Sequence, residues 1–392
     1  MIHLLETMYA ILESFEVYTF LTIFMVVCGS FIARESPYSV EYGRQIVSKP
    51  FLSLPSVLLF LSFAVVFGCR WGVGVDHLDY LYKYVFGGSD SFEILFGLVE
   101  TFMREWGFHF AFYFGFWALW DIVLLFYCVK DHKYIFPLLA LMLMLTSTYL
   151  SMMNTVRQQA AMAVFLLSLH YIDNKKLIKY LVCCLIAVLL HKSAIIMLLL
   201  YPILSIRNDW FKSIWIQLLL YAVCFYLQFH FETVAEWIEK PFTFFSESFD
   251  YEEYYLDMLF SDYWSRDKFG RNTGWGPIIN IIRVLPIILY SKTLKSYFDF
   301  PLFKLIYTLW FVGELLALLF GSSIILNRVV MYFTHIKPIM YSFFLYYCFR
   351  SRKNQNTLLG VAMILLYMAL FINIVTNPLS TAQFSFFWEH TL

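Results

Sequence analysis

Arg70, Arg157, Lys192 and Arg328 each stand at the edge of an apolar stretch. A cation fixed there meets the headgroup layer of a bilayer, and an Arg fork matches phosphate or pyrophosphate oxygens bidentately. The other reading of each is snorkelling to lipid phosphates. Arg157 has the most specific neighbours: Asn154 precedes it, Gln158 and Gln159 follow, and Ala160, Ala161 and Ala163 keep the next turn small enough for close helix packing. His191 precedes Lys192, Ser193 and Ala194. An imidazole there can exchange a proton with a reacting hydroxyl at neutral pH, or it can simply close a turn by hydrogen bonding. Arg70-Trp-Gly-Val-Gly-Val-Asp76, followed by Asp79 and Tyr80, is a second polar element. Gly72 and Gly74 permit tight turns that let Arg70 and Asp76 face one cavity. No P-loop Lys-Ser/Thr follows, and Asp76 with Asp79 could alternatively hold a divalent cation.

Further ionisable groups fall inside apolar runs, where they mark either function or helix locking. Arg283 and Glu314 lie at similar depth in successive stretches and are expected to pair. His335 and Lys337 lie at comparable depth in the next stretch, with Asp121 and Lys304 deeper. Residues 232–276 are rich in acids and in aromatic side chains such as Trp237, Tyr254, Tyr255 and Trp264. Carboxylates and aromatic faces suit a carbohydrate, and a solvated amphipathic flap has the same composition.

These residues must be positioned by a chain that is 61% hydrophobic and only 14% charged. A soluble core of this length cannot hide that much apolar surface, so the expected fold class is an all-α integral membrane protein. Counting stretches near 20 apolar residues gives about twelve transmembrane helices. They run approximately 14–33, 51–69, 107–129, 134–153, 156–172, 177–190, 193–206, 213–231, 277–291, 300–320, 329–349 and 357–375. The sixth and seventh form a short re-entering pair around His191.

Alternate connections then collect 15 of the 28 basic residues on one side. By the positive-inside rule that side is cytoplasmic and both termini are extracytoplasmic. The large connections, 70–106 and the acidic aromatic loop 232–276, face outward with the four cations. A single membrane domain over 1–392 is the simplest organisation, since no repeat or linker appears. Charge balance, with 28 basic and 28 acidic residues and no basic run, argues against nucleic acid. All seven Cys fall in or beside apolar stretches, with neither disulfide nor zinc spacing. The N-terminus has Glu6, Glu13 and Glu16 but no Lys or Arg before its first apolar run, unlike a cleavable signal peptide.

Asn154-Thr-Val-Arg157-Gln158-Gln-Ala160, with His191-Lys192-Ser193-Ala194 downstream, resembles the EpsG family of Wzy-type polysaccharide polymerases. Its members pair an Arg-Gln-x-[IA]-Ala element with a later His-x-Ser-Ala. Arg70 to Asp76 with Tyr80 is similar to the family's Arg-[YF]-x-x-Gly-x-Asp-x-x-x-Tyr element, and Arg328 through Tyr332 and Phe333 to its Arg-x-x-x-Tyr-Phe element. The likeness runs from Arg70 to Phe333. Val75 departs from it, because a small hydroxyl residue is common there, and the acidic loop has no counterpart.

The resemblance implies a glycosyltransferase at the outer face of the bacterial cytoplasmic (inner) membrane. It would join polyprenyl-pyrophosphate-linked oligosaccharide units into an O-antigen, capsule or exopolysaccharide. His191 is then the expected base, with Asp76 its rival, and Arg157, Arg70 and Arg328 the pyrophosphate clamps, assisted by Lys192. Asn154, Gln158 and Tyr80 complete the substrate site. A lipid-pyrophosphate leaving group is already activated, so no metal or other cofactor is required in principle. A chain-length regulator or other export protein is a further partner to look for. The alternatives are a lipid-linked-oligosaccharide flippase or transporter, and a ligase or acyltransferase acting on the same glycan. A transporter should show two-half symmetry, which is absent, and an acyltransferase should open its polar cluster to the inner face.

Overall fold

The computed structural model describes residues 2–34, 38–39, 44–45, 50–88, 93–206, 209–230, 275–321, 324–377 and 380–390. The acidic aromatic loop expected at 232–276 lies outside the described residues except for Trp275 and Gly276. The described residues are mainly helical and divide into two compact units: 1–206 with 300–302 and 337–392, and 207–299 with 303–336.

The first unit holds α1 (Ile2–Arg34), a two-residue antiparallel pair β1 (Tyr38–Ser39) and β2 (Arg44–Gln45), α2 (Leu54–Gly68) and β3 (Arg70–Trp71). It continues with α3 (His77–Phe86), α4 (Ile94–Glu105), α5 (Phe110–Cys128), α6 (Phe136–Leu145), α7 (Thr148–Asn154), α8 (Val156–Asp173), α9 (Leu177–Leu190) and α10 (Ile196–Leu204). The second holds α11 (Ile214–Leu227), α12 (Gly276–Leu289), α13 (Ser291–Tyr297), most of α14 (Pro301–Phe320) and α15 (Ile324–Thr334). The chain returns to the first unit with α16 (Lys337–Arg350), α17 (Asn354–Thr376) and β4 (Ser385–Phe386).

The long helices are apolar on both sides. Along α1, Tyr18, Leu21, Met25, Cys28 and Ile32 follow the helical period and are buried, while Phe20, Ile23, Val27 and Phe31 are exposed. An amphipathic helix in water would carry polar groups on that second face, so the exposed face meets lipid. Four helical segments among the described residues are long and apolar enough to cross a membrane: Ala10–Arg34, α5, α14 and α17. Two bent pairs raise the number to six. The chain is an all-α membrane protein.

Three expected stretches depart from single straight helices. The 134–153 stretch breaks at Ser147, whose φ of 57° is left-handed, and α6 meets α7 at a bend of 63°. Thr146 Oγ1 donates to Met142 O at 2.6 Å and contacts Thr148 Oγ1 at 2.8 Å, the side-chain competition with the backbone expected of a Thr-Ser-Thr run. The 277–291 stretch continues into α13 through a 52° bend beyond Pro286. The 329–349 stretch is interrupted at His335 and Ile336, because Pro338 has no N–H and starts α16 more readily than it continues α15. The hairpin around His191 forms as expected: Tyr180 of α9 donates to Met197 O of α10 at 2.5 Å and packs its ring on Tyr201 at 5.0 Å.

In the first unit α2 packs on α5, α5 on α8 and α8 on α9, while α1 lies against α2 and α6, and α6 against α16. Small residues set the α2–α5 distance. A Cβ built on Gly68 would stand 2.5 Å from Ala111 O and 3.1 Å from Gly115 Cα. The C-terminal tail closes the end of the unit where α2 finishes. Phe386 pairs with Arg70 and Ser385 with Trp71, and Phe387 N–H donates to Cys69 O at 3.0 Å. Tyr18 donates to Ala382 O at 2.9 Å, and Phe384 N–H donates to Ser14 Oγ at 2.7 Å. The start of the first span and the tail after the last helix therefore meet at the same end as Arg70.

In the second unit Gln217 of α11 accepts from the Tyr307 hydroxyl at 2.5 Å and donates to Phe211 O at 2.9 Å. Lys295 reaches Asp209 at 2.5 Å. Polar groups that would otherwise be stranded among apolar helices are thus satisfied locally.

Gly68→Val should force α2 and α5 apart and cost about 1–3 kcal/mol, as overpacking does. The expected result is a lower thermal unfolding midpoint in detergent; an unchanged midpoint would mean that this crossing tolerates the extra carbons.

Candidate active site

The loop that follows α2 turns back on itself and is pinned from both sides. Gly74 has φ of 90°, and a Cβ there would stand 3.0 Å from Asn154 Cα and 3.1 Å from its Oδ1, so only glycine fits. Its N–H donates to Thr381 O of the tail at 3.0 Å, and the Asp76 N–H donates to Asn154 Oδ1 at 3.0 Å. Asn154, the last residue of α7, thereby fixes the start of α3. Beneath the loop Arg70 is 1% exposed. Its guanidinium donates to Phe67 O at 2.5 Å and to Met153 O at 3.2 Å, and lies 4.7 Å from the Phe114 ring centre. Those carbonyls end α2 and lie within α7, so one buried cation ties the two elements. His77 packs its buried ring 4.7 Å from Phe114. Burial, aided by the nearby Arg70 charge, drives it down to about 2, and it stays neutral.

With the loop in place, Tyr80 of α3 presents its hydroxyl to Arg157 in the first turn of α8, which donates through Nε at 3.1 Å. The other edge of Arg157 reaches Glu93: Nη1 to Oε2 is 2.7 Å. The same carboxylate takes His191 Nδ1 on Oε1 at 2.7 Å and the Lys192 N–H at 3.2 Å. Glu93 is the residue before α4, and its side chain is only 8% exposed, against 13% for His191 and 26% for Arg157. An ionised carboxylate only accepts, so Nδ1 carries a proton toward Glu93, and in the neutral form of the ring Nε2 is the basic nitrogen. Burial pushes Glu93 upward, but the hydrogen bond and charge of His191 and then the charge of Arg157 outweigh it and hold the carboxyl at about 2.

The first unit therefore brings together Arg70, Asp76, Tyr80, Asn154, Arg157, His191 and Lys192 from three separate stretches of chain, with Glu93 from a fourth. Gln158 is buried beside Arg157, and the Lys192 side chain is exposed. Asp79, the second carboxylate of the cation reading, pairs with Lys83 at 2.7 Å on the surface of α3. Arg328, Arg283, Glu314 and His335 belong to the second unit, and Lys337 opens α16 of the first. In the second unit Arg283 donates to Asn280 one turn earlier, and Arg283 and Glu314 both act electrostatically on the Tyr221 hydroxyl. Glu314 and His335 are buried, the latter with its N–H bonded to Met331 O at 2.9 Å.

Glu93 was not identifiable from the sequence. It is one acid among several between Asp90 and Glu105, Glu is not a favoured N-cap residue, and no fixed spacing links it to Arg157 or His191.

Among known protein families, residues 54–387 match the EpsG family. The chain belongs to the EpsG family. This is a family of Wzy-type polysaccharide polymerases, so membership gives the chain a polysaccharide-polymerase type of function in a membrane. No curated protein and no solved structure matches it. Residues of three elements that resemble the family's motifs, Arg70 to Tyr80, Asn154 to Ala160 and His191 to Ala194, meet around one carboxylate in this EpsG-family chain. The match spans both units and takes in β3 and most of the tail that pairs with it.

Because Glu93 titrates below its ordinary value of 4.5, its charge stabilises the fold fully above that value, and the contribution is lost as the pH falls toward 2. Glu93→Gln should cost about 1–3 kcal/mol at neutral pH by leaving three donors without a charged partner. Unfolding midpoints of both proteins across pH would show the gap closing below 4.5; a gap that is independent of pH would mean that the charge of Glu93 does not hold the cluster.

Proposed function

We propose that the protein is an oligosaccharide repeat-unit polymerase. It transfers a glycan from polyprenyl pyrophosphate to the hydroxyl of another lipid-linked unit, at the outer face of the bacterial cytoplasmic membrane. The observation that carries the reading is the bridge through Glu93, which sets the proposed base, His191, beside the proposed anion-binding residue, Arg157, among residues that resemble the family's motifs.

In this reading the acceptor hydroxyl oxygen attacks the anomeric carbon of the donor while the bond from that carbon to the pyrophosphate oxygen breaks. His191 Nε2 takes the hydroxyl proton, with Nδ1–H held by Glu93 so that the ring keeps the required tautomer. The positive charge that develops on the ring faces a fixed carboxylate. Polyprenyl pyrophosphate leaves as an anion, and Arg157, assisted by Lys192, neutralises the charge that grows on it. Arg70 acts one step back: bonded to two carbonyls, it holds the loop that carries Asp76 and Tyr80. Asp76 is the rival base, at the mouth of the same loop. The leaving group is activated already, so the reaction needs no metal ion.

The same reading takes the topology as twelve spans within one membrane domain, with both termini extracytoplasmic. Support comes from the 15 basic residues on alternate connections and from the meeting of α1, the tail and the Arg70 loop at one end of the first unit. The acidic loop would face the same compartment and offer its carboxylates and rings to the growing glycan or to a length-regulating partner. Whether the product serves as O-antigen, capsule or exopolysaccharide follows from the repeat unit of the host.

The test is to incubate the protein in lipid discs with a polyprenyl-pyrophosphate oligosaccharide from its host, with and without EDTA, and to resolve products by size. A ladder at unit spacing, insensitive to EDTA, is expected. Arg157→Ala and His191→Ala should each lower its rate by about 10²-fold or more, on the scale of losing one charge-stabilising or proton-transferring group. Substrate that remains one unit long with folded protein would overturn the polymerase reading, and movement of intact substrate across liposome membranes would favour a flippase.

A further inference from the structure

Two helices of the first unit lie outside every span and nevertheless expose apolar side chains in ordered rows. In α4 the protein-facing row is Phe96, Glu100 and Met103, which are buried. The opposite row is Ile94, Leu98, Phe102 and then Trp106 just beyond the helix, at four-residue spacing and each more than half exposed. In α3 the corresponding row is Leu78, Tyr82 and Phe86, again more than half exposed. A surface helix in water puts polar groups on its outer row, and here the outer row is the apolar one.

Length excludes spanning. The 10 residues of α3 and the 12 of α4 extend about 15 and 18 Å at the helical rise, against about 30 Å of hydrocarbon. Both lie between the end of α2 and the start of α5, two neighbouring helices packed on each other, so they sit where α2 and α5 reach the same end of the unit. The exposed row also continues into a candidate span. The rings of Phe102 and Trp106 are 5.2 Å apart, and those of Phe108 and Phe112 at the entry to α5 are 4.8 Å apart. Both Phe108 and Phe112 are exposed. Residues 105–109 between the two ring pairs are exposed as well, so the exposed apolar side chains of α4 run on along the chain into those at the entry to α5.

We propose that α3 and α4 lie in the plane of the membrane surface with these rows immersed at the boundary of headgroups and acyl chains. Bilayer lipid is the occupant of the surface. Glu93 immediately precedes Ile94, so the immersed row fixes the depth of the carboxylate and, through it, of Arg157 and His191. The cluster then faces groups attached to lipid at phosphate depth rather than solutes in bulk water. The placement stands on the exposed rows and helix lengths alone, so a failure of the polymerase reading leaves it intact.

Photo-crosslinking tests it in the full-length protein, reconstituted in discs of palmitoyl-oleoyl phosphatidylglycerol. p-Benzoylphenylalanine would replace Leu98, Phe102, Leu358 or Asp79, one at a time, each variant being checked for a monodisperse profile. Leu358 is an exposed residue of the span α17 and Asp79 an exposed polar residue of α3. Intact mass after irradiation reports addition of one lipid. Yields at Leu98 and Phe102 should fall within about twofold of that at Leu358 and exceed that at Asp79 by about tenfold, as immersion of one row of an interfacial helix requires. Lipid adducts at Leu358 without any at Leu98 and Phe102 would overturn the proposal, as would crosslinks from those two positions to a second copy or to another part of the chain.

Discussion

The carboxylate of Glu93 is the point on which the site depends. It takes a guanidinium on one oxygen and an imidazole N–H and a main-chain N–H on the other. An anion largely withdrawn from water is costly unless its partners are charged and well aimed, and each of these partners is equally costly without the anion. The arrangement therefore stands or falls as a unit. It also does something that no single member could do: it keeps a neutral-capable imidazole in one tautomer, with its other nitrogen available, beside a cation suited to a phosphate oxygen.

Such a unit needs a frame that holds its three strands of chain to within a few tenths of an ångström, and the frame is built from buried polar contacts at one end of the helices. Arg70 joins the end of α2 to α7 through carbonyls that helix ends leave unsatisfied. Asn154 receives the N–H of Asp76, and the tail adds a strand to Arg70 and Trp71. Through Tyr80 the frame reaches Arg157. An integral protein can maintain such a polar cluster because the backbone groups of the loop are paired inside the protein, where hydrocarbon would leave them stranded.

The breaks in the helices belong to the same design. Asn154 can approach Gly74 because α7 turns away from α6 at Ser147. Arg157 lies in the first turn of a new helix, α8, instead of in the middle of a continuing one. Had the chain run straight from 134 to 172, Asn154 and Arg157 would sit three residues apart on one helix, each pointing where that helix directed it. The short break at Thr155 lets them serve the two sides of one loop.

Much of this was legible in the sequence. Composition alone required a membrane protein, since apolar side chains in such excess have no other solvent, and the residues Arg70, Tyr80, Asn154, Arg157 and His191 stood out because polar groups beside apolar runs are expensive unless used. The hairpin at His191 followed from the placement of Lys residues on alternate connections. The sequence could not reveal Glu93, the pairing of Ser385 and Phe386 with a strand more than three hundred residues earlier, or the inward turn of Arg70 onto two carbonyls. Each of these depends on which groups become neighbours after the helices pack, and hydrophobic periodicity specifies only which face of a helix is apolar, not which partner covers it. The breaks at Ser147 and His335 escaped for a related reason: hydropathy averages over a window and registers apolar character, whereas a helix ends where single residues such as a Thr-Ser-Thr run or Pro338 redirect the backbone hydrogen bonds.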